Sequence, residues 1–242
     1  MKQRLDVAML SRQLVDSREK AQALILSGKV TVDGQKAEKP GHSVDESARI
    51  EVAEPLKYVS RGGLKLEAAL AHFQLDPTDK VCLDVGTSTG GFTDCLLQCG
   101  ALRVHAVDTG SGQIDWKLRT DPRVVLHEKC NARYIKATDI GELAQLIVCD
   151  VSFISVTLLV PALLPLLAPG GDWIILVKPQ FEVGRELVGK GGIVRDPASH
   201  QFACNKVAAA LGAAGFTTAL TDSPILGTEG NREFLLHASA RQ

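Results

Sequence analysis

The sequence predicts an α/β protein: a doubly wound, mostly parallel sheet with a small α+β unit at its amino terminus. Three observations predict it. From residue 64 onward, short apolar runs of strand length alternate with helix-length segments. Four of those runs close on a polar residue, Asp84, Asp108, Asp150 and Lys178, as strand ends in an open parallel sheet do when they line a crevice. The first 53 residues differ in character, with a helix pattern, an alternating segment and a hairpin signal.

The elements follow in order. Asp16-Ser-Arg-Glu19 reads as a capping box, with Glu19 three residues after a capping Asp16, and it opens a helix through Leu26 that Gly28 ends. Residues 29–35 alternate, and Asp33-Gly34 supplies a tight hairpin turn. Lys39-Pro-Gly41 is a loop and 48–52 a short strand, leaving room for two or three small helices and a curled sheet. Eight Lys and Arg against five Asp and Glu give residues 1–42 a charge of +3. Residues 54–63 read as a linker, broken by Pro55 and loosened by Gly62-Gly63. The expected domains are therefore 1–53 and 64–242. The second holds helices over 64–73, 91–99, 155–167 and 198–214. Its expected strands are 81–85, 103–107, 124–128, 146–149 and 173–177, followed by two late ones at 216–220 and 233–238.

Composition narrows the function. A net charge of −1 excludes a uniformly basic nucleic-acid binder, so any such affinity must be local. Of the cysteines Cys82, Cys95, Cys99, Cys130, Cys149 and Cys204, only Cys95 and Cys99 are closely spaced; no zinc pattern is completed, no metal is expected, and the usage fits a reducing cytosol. The first residues alternate charge with single apolar positions, unlike a secretory leader. The longest apolar run, 153–168, carries Pro161 and Pro165 and falls short of the roughly 20 residues of a membrane span, so it reads as a buried helix and loop.

The segment 81–94 is the most informative. A buried strand ends near Asp84, breaks into Gly86-Thr-Ser-Thr-Gly90-Gly91 and opens a helix, the arrangement of a nucleotide-sized pocket. The loop lacks the GxGxxG spacing of dinucleotide enzymes. Asp108, one strand over, is placed for a ribose diol, and Asp84 to orient the loop or bind a ligand amine. Alone, Asp84 also fits a turn cap and Asp108 a mere strand end; together they mark a ligand site. An acidic, phosphate-free pocket suits S-adenosylmethionine better than a nicotinamide dinucleotide.

Lys178 closes a buried strand and precedes Pro179, which holds it extended at the crevice. A lysine there is costly unless used or paired. Asp150 ends another apolar strand. Glu233 begins the last one and, if that strand runs antiparallel, sits at the same edge. Lys65 lies on the helix leading into the first strand.

Further segments carry a resemblance: Ser17-Arg-Glu-Lys-Ala-Gln22, Gly28-Lys-Val-Thr-Val-Asp-Gly34, Ser60-Arg-Gly-Gly-Leu-Lys-Leu66, Cys149-Asp-Val-Ser-Phe-Ile-Ser155, Lys178-Pro-Gln-Phe-Glu182, Lys190-Gly-Gly-Ile-Val-Arg-Asp196 and Gly230-Asn-Arg-Glu-Phe234. With the glycine loop they make the chain resemble the TlyA family, also labelled haemolysin A: ribosomal RNA methyltransferases of the FtsJ-like type. The resemblance implies a Rossmann-like class I methyltransferase sheet with an antiparallel last strand. It implies that residues 1–53 form an RNA-binding domain of the type first described in a small-subunit ribosomal protein.

The resemblance also implies a Lys-Asp-Lys-Glu tetrad on Lys65, Asp150, Lys178 and Glu233, with Glu229 a neighbour that could be mistaken for the last. It implies S-adenosylmethionine contacts from Asp84, Gly86, Thr87, Ser88, Thr89, Gly90, Gly91, Phe92, Asp108, Asn131 and Ala132. Thr87 stands where the family usually has alanine.

The expected reaction is methylation of a ribose 2′-hydroxyl, with cytidine in 16S and/or 23S ribosomal RNA as the family's target and the short termini favouring 23S. A neutral lysine can take the hydroxyl's proton, and a second cation nearby favours that neutral form. Ribosomal RNA or subunits in the cytoplasm are the expected partner, held at phosphates by Arg4, Arg12, Arg18, Lys20 and Lys29. Two other classes compete: a non-catalytic ribosome-assembly factor on the same fold, and a membrane-active haemolysin.

Overall fold

The computed structural model describes residues 2–53 and 56–240. The chain divides into two compact units, Met1–Pro55 and Leu56–Gln242.

The first unit packs two helices on short strands: β1 (Lys2–Arg4), α1 (Leu5–Ser11), α2 (Arg18–Leu26), β2 (Val30–Val32), β3 (Gln35–Lys36), β4 (Ser43–Asp45) and β5 (Ile50–Val52). β1 pairs with β4, and β2 lies between β3 and β5, all antiparallel. Leu5, Ala8, Met9, Ala21, Ile25, Val30 and Val44 form its core. Asp33 and Gly34 both adopt positive φ, 50° and 78°, as a two-residue hairpin turn of the mirror-image kind requires. The helix cap departs from expectation. Ser17, not Asp16, is the capping residue, its hydroxyl accepting from Lys20 N, while the Asp16 carboxylate takes Lys20 Nζ.

In the second unit, strands β6 (Val81–Val85), β7 (Arg103–Val107), β8 (Val124–His127), β9 (Ala144–Cys149), β10 (Leu167–Val177), β11 (Phe216–Asp222) and β12 (Phe234–Ala240) form one sheet in the order β11-β12-β10-β9-β6-β7-β8. β12 alone runs against the direction shared by the other six strands. From β6 the chain winds outward to β8, then returns to β9 and β10 on the other side. The reversal lies between β6 and β9, and in such sheets the crevice at the carboxyl ends of the strands is the ligand site. β6 and β9 are apolar on both faces because both are covered: Leu83 and Ile147 face one core, Cys82 and Leu146 the other.

The helices are α3 (Gly62–His72), α4 (Gly91–Gln98), the short α5 (Trp116–Arg119), α6 (Ala137–Ile140), α7 (Val160–Leu163) and α8 (Pro179–Glu182), and the long α9 (Pro197–Ala213). Two expectations are corrected here. The single helix over 155–167 is a 3-10 turn, α7 and a second 3-10 turn, because Pro161 and Pro165 each remove a helical N–H. The linker over 54–63 ends early: Tyr58 is buried and Gly62-Gly63 form the first turn of α3, while the break at Pro55 lies outside the described residues. Among the described residues, no helix is long and apolar enough to cross a membrane.

Candidate active site

At the end of β6 the chain turns through Gly86, whose φ is 88°. A Cβ there would strike the Asp150 carbonyl, so glycine alone lets the ends of β6 and β9 approach. A Cβ at Gly91 would meet Ser60 Oγ and the backbone of Gly62 and Gly63, so the first turns of α3 and α4 also close together. These elements surround a polar cavity of about 310 Å³. The glycine loop lines it with Gly86, Thr87, Ser88, Thr89, Gly91 and Phe92, and so do Lys65, Asp150, Lys178 and Glu233.

The four chemical residues meet as two pairs. Lys178, extended before Pro179 at φ −111° and ψ 101°, places Nζ 2.6 Å from Asp150 Oδ1. The two form an ion pair. The amine also donates to Ser152 Oγ at 2.9 Å. Lys65, from α3, reaches Glu233 Oε2 at 2.5 Å, and both are buried. Glu233 precedes β12 by one residue, and because β12 is antiparallel it arrives at the edge where the parallel strands end.

A second cavity of about 430 Å³ lies beyond Gly86 and Asp150, lined by Val107, Asp108, Cys130, Asn131, Ala132 and Leu159. Asp108 holds its frame: one carboxylate oxygen accepts from Ser88 N at 2.7 Å, the other from Gly110 N at 2.7 Å. Asn131 caps the following 3-10 turn by accepting from Arg133 N. A third cavity of about 370 Å³ opens from Lys178 and Glu233 towards Phe153, Gln180, Phe181 and Val188.

Two of the expected cofactor residues face elsewhere. Asp84 is fully buried and lines neither of the first two cavities. Its carboxylate accepts from Thr93 Oγ1 at 2.6 Å and so ties β6 to α4. Burial pushes its carboxyl up to about 7, opposed by the Thr93 hydrogen bond. Gly90 faces Leu118 and Ile114, which would obstruct any Cβ there.

In the first unit, most of the expected phosphate contacts have protein partners. Arg4 and Arg18 converge on the buried Asp6, 3.0 and 2.9 Å away, and Arg4 foremost holds that carboxyl well below the usual carboxylate range. Arg12 donates to the carbonyls of Asp45, Glu46 and Ala48. Lys20 pairs with Asp16, and Lys29 is exposed.

Sequence reasoning passed over three residues at the site. Ser152 holds the Lys178 amine. The Phe153 side chain is 92% exposed on a backbone with φ 66°, and leans on Phe181 at 5.3 Å between ring centres. Glu182 is buried, accepting from Ser155 Oγ at 2.5 Å and Val156 N at 2.8 Å and pairing with Lys206 at 3.2 Å. All three stand inside segments that carry the resemblance, 149–155 and 178–182, and that membership was the signal that could have found them.

A glycine loop at the switch point of a seven-stranded sheet, with an antiparallel strand between the last two and paired lysines at the crevice, defines an enzyme of methyltransferase architecture. The profile of the FtsJ-like methyltransferases matches residues 58–240 and that of the S4 domain residues 3–50, and the chain belongs to the FtsJ-like methyltransferase family. It is 48% identical to YqxC of Bacillus subtilis, over 98% of this chain and 85% of that one. It is 42% identical to the 16S/23S rRNA (cytidine-2′-O)-methyltransferase TlyA of Mycobacterium tuberculosis, over 96% of this chain and 88% of that one. A solved structure from Streptococcus thermophilus, 44% identical, superposes with a TM-score of 0.77 and covers 100% of this chain and 89% of that one.

Proposed function

We propose that the chain methylates a ribose 2′-hydroxyl of ribosomal RNA, with cytidine the target nucleoside and S-adenosylmethionine the donor, in the cytoplasm where that RNA is found. The observation that carries this reading is that Lys178–Asp150 and Lys65–Glu233 share one cavity with the glycine loop. The residues suit the cofactor. Gly86, whose Cβ direction is filled by the Asp150 carbonyl, lets the glycine loop and the end of β9 close on the crevice, and Asp108 and Asn131 line the neighbouring cavity with polar side chains. When bound, the cofactor supplies an electrophilic methyl group on a sulfonium. Gly86, Thr87, Ser88, Thr89, Gly91 and Phe92 would hold it on one side, and Asp108, Asn131 and Ala132 on the other.

The chain's own residues supply alignment and a proton acceptor. A ribose hydroxyl is a poor nucleophile until its proton leaves, and Lys178 is placed to accept it. Asp150 compensates the charge Lys178 then acquires, and the buried Lys65–Glu233 pair ties α3 to the last strand beside the same cavity. Positive charge on the donor is lost in the reaction, so holding the reacting atoms in line counts for more than charge stabilisation. The exposed Phe153 at the third cavity offers a base an aromatic face. The first unit would hold RNA at phosphates through Lys29 and the outer edges of Arg4 and Arg18, while Arg12 and Lys20 contribute less because their donors are engaged.

The test is Lys178→Ala assayed on ribosomal RNA from cells lacking the enzyme, alongside S-adenosylmethionine binding by calorimetry. The expected result is no methyl transfer with cofactor affinity retained. Substantial turnover by this variant overturns the assignment of the base.

A further inference from the structure

The structure assigns Ser152 as the residue that aims the Lys178 amine, a positioning role on which base function depends. This inference rests on the proposed methyl transfer. Ser152 is the one residue shared by the linings of all three cavities: that of the paired lysines, that of Asp108 and Asn131, and that of Phe153 and Phe181. It therefore stands where donor, acceptor hydroxyl and base have to converge. Its hydroxyl accepts the hydrogen bond from Lys178 Nζ at 2.9 Å. The other near neighbour, Asp150 Oδ1, pairs with the amine at 2.6 Å on a second side, and one partner alone would leave the remaining N–H and the lone pair free to exchange places.

The need for such a partner follows from amine chemistry. A protonated lysine has three donors and no acceptor. Once neutral it has two N–H groups and one lone pair, and only the lone pair can take a proton. An amine free to rotate would present an N–H to the ribose oxygen in most orientations and hold that oxygen as an acceptor, which is unproductive. With one N–H on Ser152 and the second on the side of the Asp150 carboxylate, the lone pair is left facing the open cavity. The step then balances. The hydroxyl proton passes to the Lys178 nitrogen as the ribose oxygen bonds to the methyl carbon, and the carbon–sulfur bond breaks with its electron pair going to sulfur.

The backbone is bent to allow this. Phe153 takes φ 66°, a conformation that costs a bulky side chain energy, and it does so while almost wholly exposed. The strain is therefore not offset by burial of that ring. The bend turns the chain sharply after Ser152, one residue beyond the hydroxyl that the amine requires.

The experiment compares Ser152→Ala and Ser152→Thr with the parent chain. It reads the single-turnover methylation rate on ribosomal RNA from cells lacking the enzyme, the half-saturating RNA concentration, and S-adenosylmethionine affinity by calorimetry. Ser152→Ala should slow the rate on the order of tenfold, as expected for loss of one orienting hydrogen bond, with RNA half-saturation and cofactor affinity each within about twofold. Ser152→Thr should restore most of the rate, because it restores the hydroxyl. A Ser152→Ala rate within about twofold of the parent overturns the assignment. So does a threonine variant as slow as alanine, or a loss accompanied by weakened cofactor binding. If the parent chain itself methylates no ribosomal RNA, it is the proposed function that fails, a result distinct from all of these.

Discussion

Asp84→Asn separates a structural carboxyl from a ligand-binding one. In the fold this carboxyl is pushed up to about 7, chiefly by complete burial, against an unfolded value near 3.8. The sign follows from proton counting. Below about pH 4 both states are protonated and folding is indifferent to pH. Between about 4 and 7 the unfolded chain ionises while the folded one keeps its proton, so stability falls as pH rises; above about 7 the penalty is constant. The gap of about three pH units corresponds to roughly 4 kcal/mol at 1.36 kcal/mol per unit, an upper figure because a buried group relaxes when it ionises. Asparagine cannot ionise, and its side-chain oxygen can still accept from Thr93 Oγ1. The variant should therefore match the parent near pH 3 and exceed it by on the order of 2–4 kcal/mol at pH 8, read by urea unfolding across that range. Its cofactor affinity should be unchanged, since Asp84 lines neither adjoining cavity. A parent chain whose stability rises between pH 5 and 8 relative to the variant refutes the titration argument. A variant that folds well but no longer binds S-adenosylmethionine refutes the structural role.

Three further perturbations test neighbouring parts. Glu182→Ala removes the acceptor of Val156 N and Ser155 Oγ and leaves Lys206 only the carbonyl of residue 182, costing roughly 2–4 kcal/mol; calorimetry should show Tm lowered by about 5–15 °C, and an unchanged Tm rejects the role. Phe153→Ala should raise the half-saturating ribosomal RNA concentration about tenfold, the scale of one lost base–aromatic stack; an unchanged value means no base rests there. Lys29→Glu should weaken RNA binding and flatten its dependence on salt without altering Tm, because the side chain is exposed; an identical salt slope places the RNA elsewhere.

The sequence conveyed the sheet better than its edges. Residues 81–85 and 103–107 are strands to the residue, because an apolar run closed by a glycine turn or a polar stop admits little else. What it could not convey was facing. In a strand covered on both sides the period-two alternation disappears, so nothing in Val-Cys-Leu-Asp-Val says whether Asp84 looks into the crevice or into α4. The same limit explains the helix cap. Asp16 and Ser17 are both good caps, and the choice turned on Lys20, which gives its backbone N–H to one and its amine to the other.

Pairing at the site was hidden for a different reason. Lys178 and Asp150 were each visible as a polar residue closing a buried strand, and only the order of β9 and β10 in the sheet makes them neighbours. Lys65 and Glu233 stand 168 residues apart, on a helix and at the mouth of an antiparallel strand, and neither is conspicuous alone. Yet burial itself dictates that each lysine must find a carboxylate, since an unpaired charge at either position would cost several kcal/mol. Two lysines and two carboxylates allow two pairings. The one adopted leaves Lys65–Glu233 sealed, with side chains 11% and 4% exposed, and Lys178–Asp150 more open at 12% and 22%. That asymmetry argues for a division of labour. Both pairs border the cavity and the two lysines are about equally covered, so the difference lies in the carboxylates: buried Glu233 ties α3 to the last strand, whereas the more open Asp150 leaves its side of Lys178 within reach of a substrate atom.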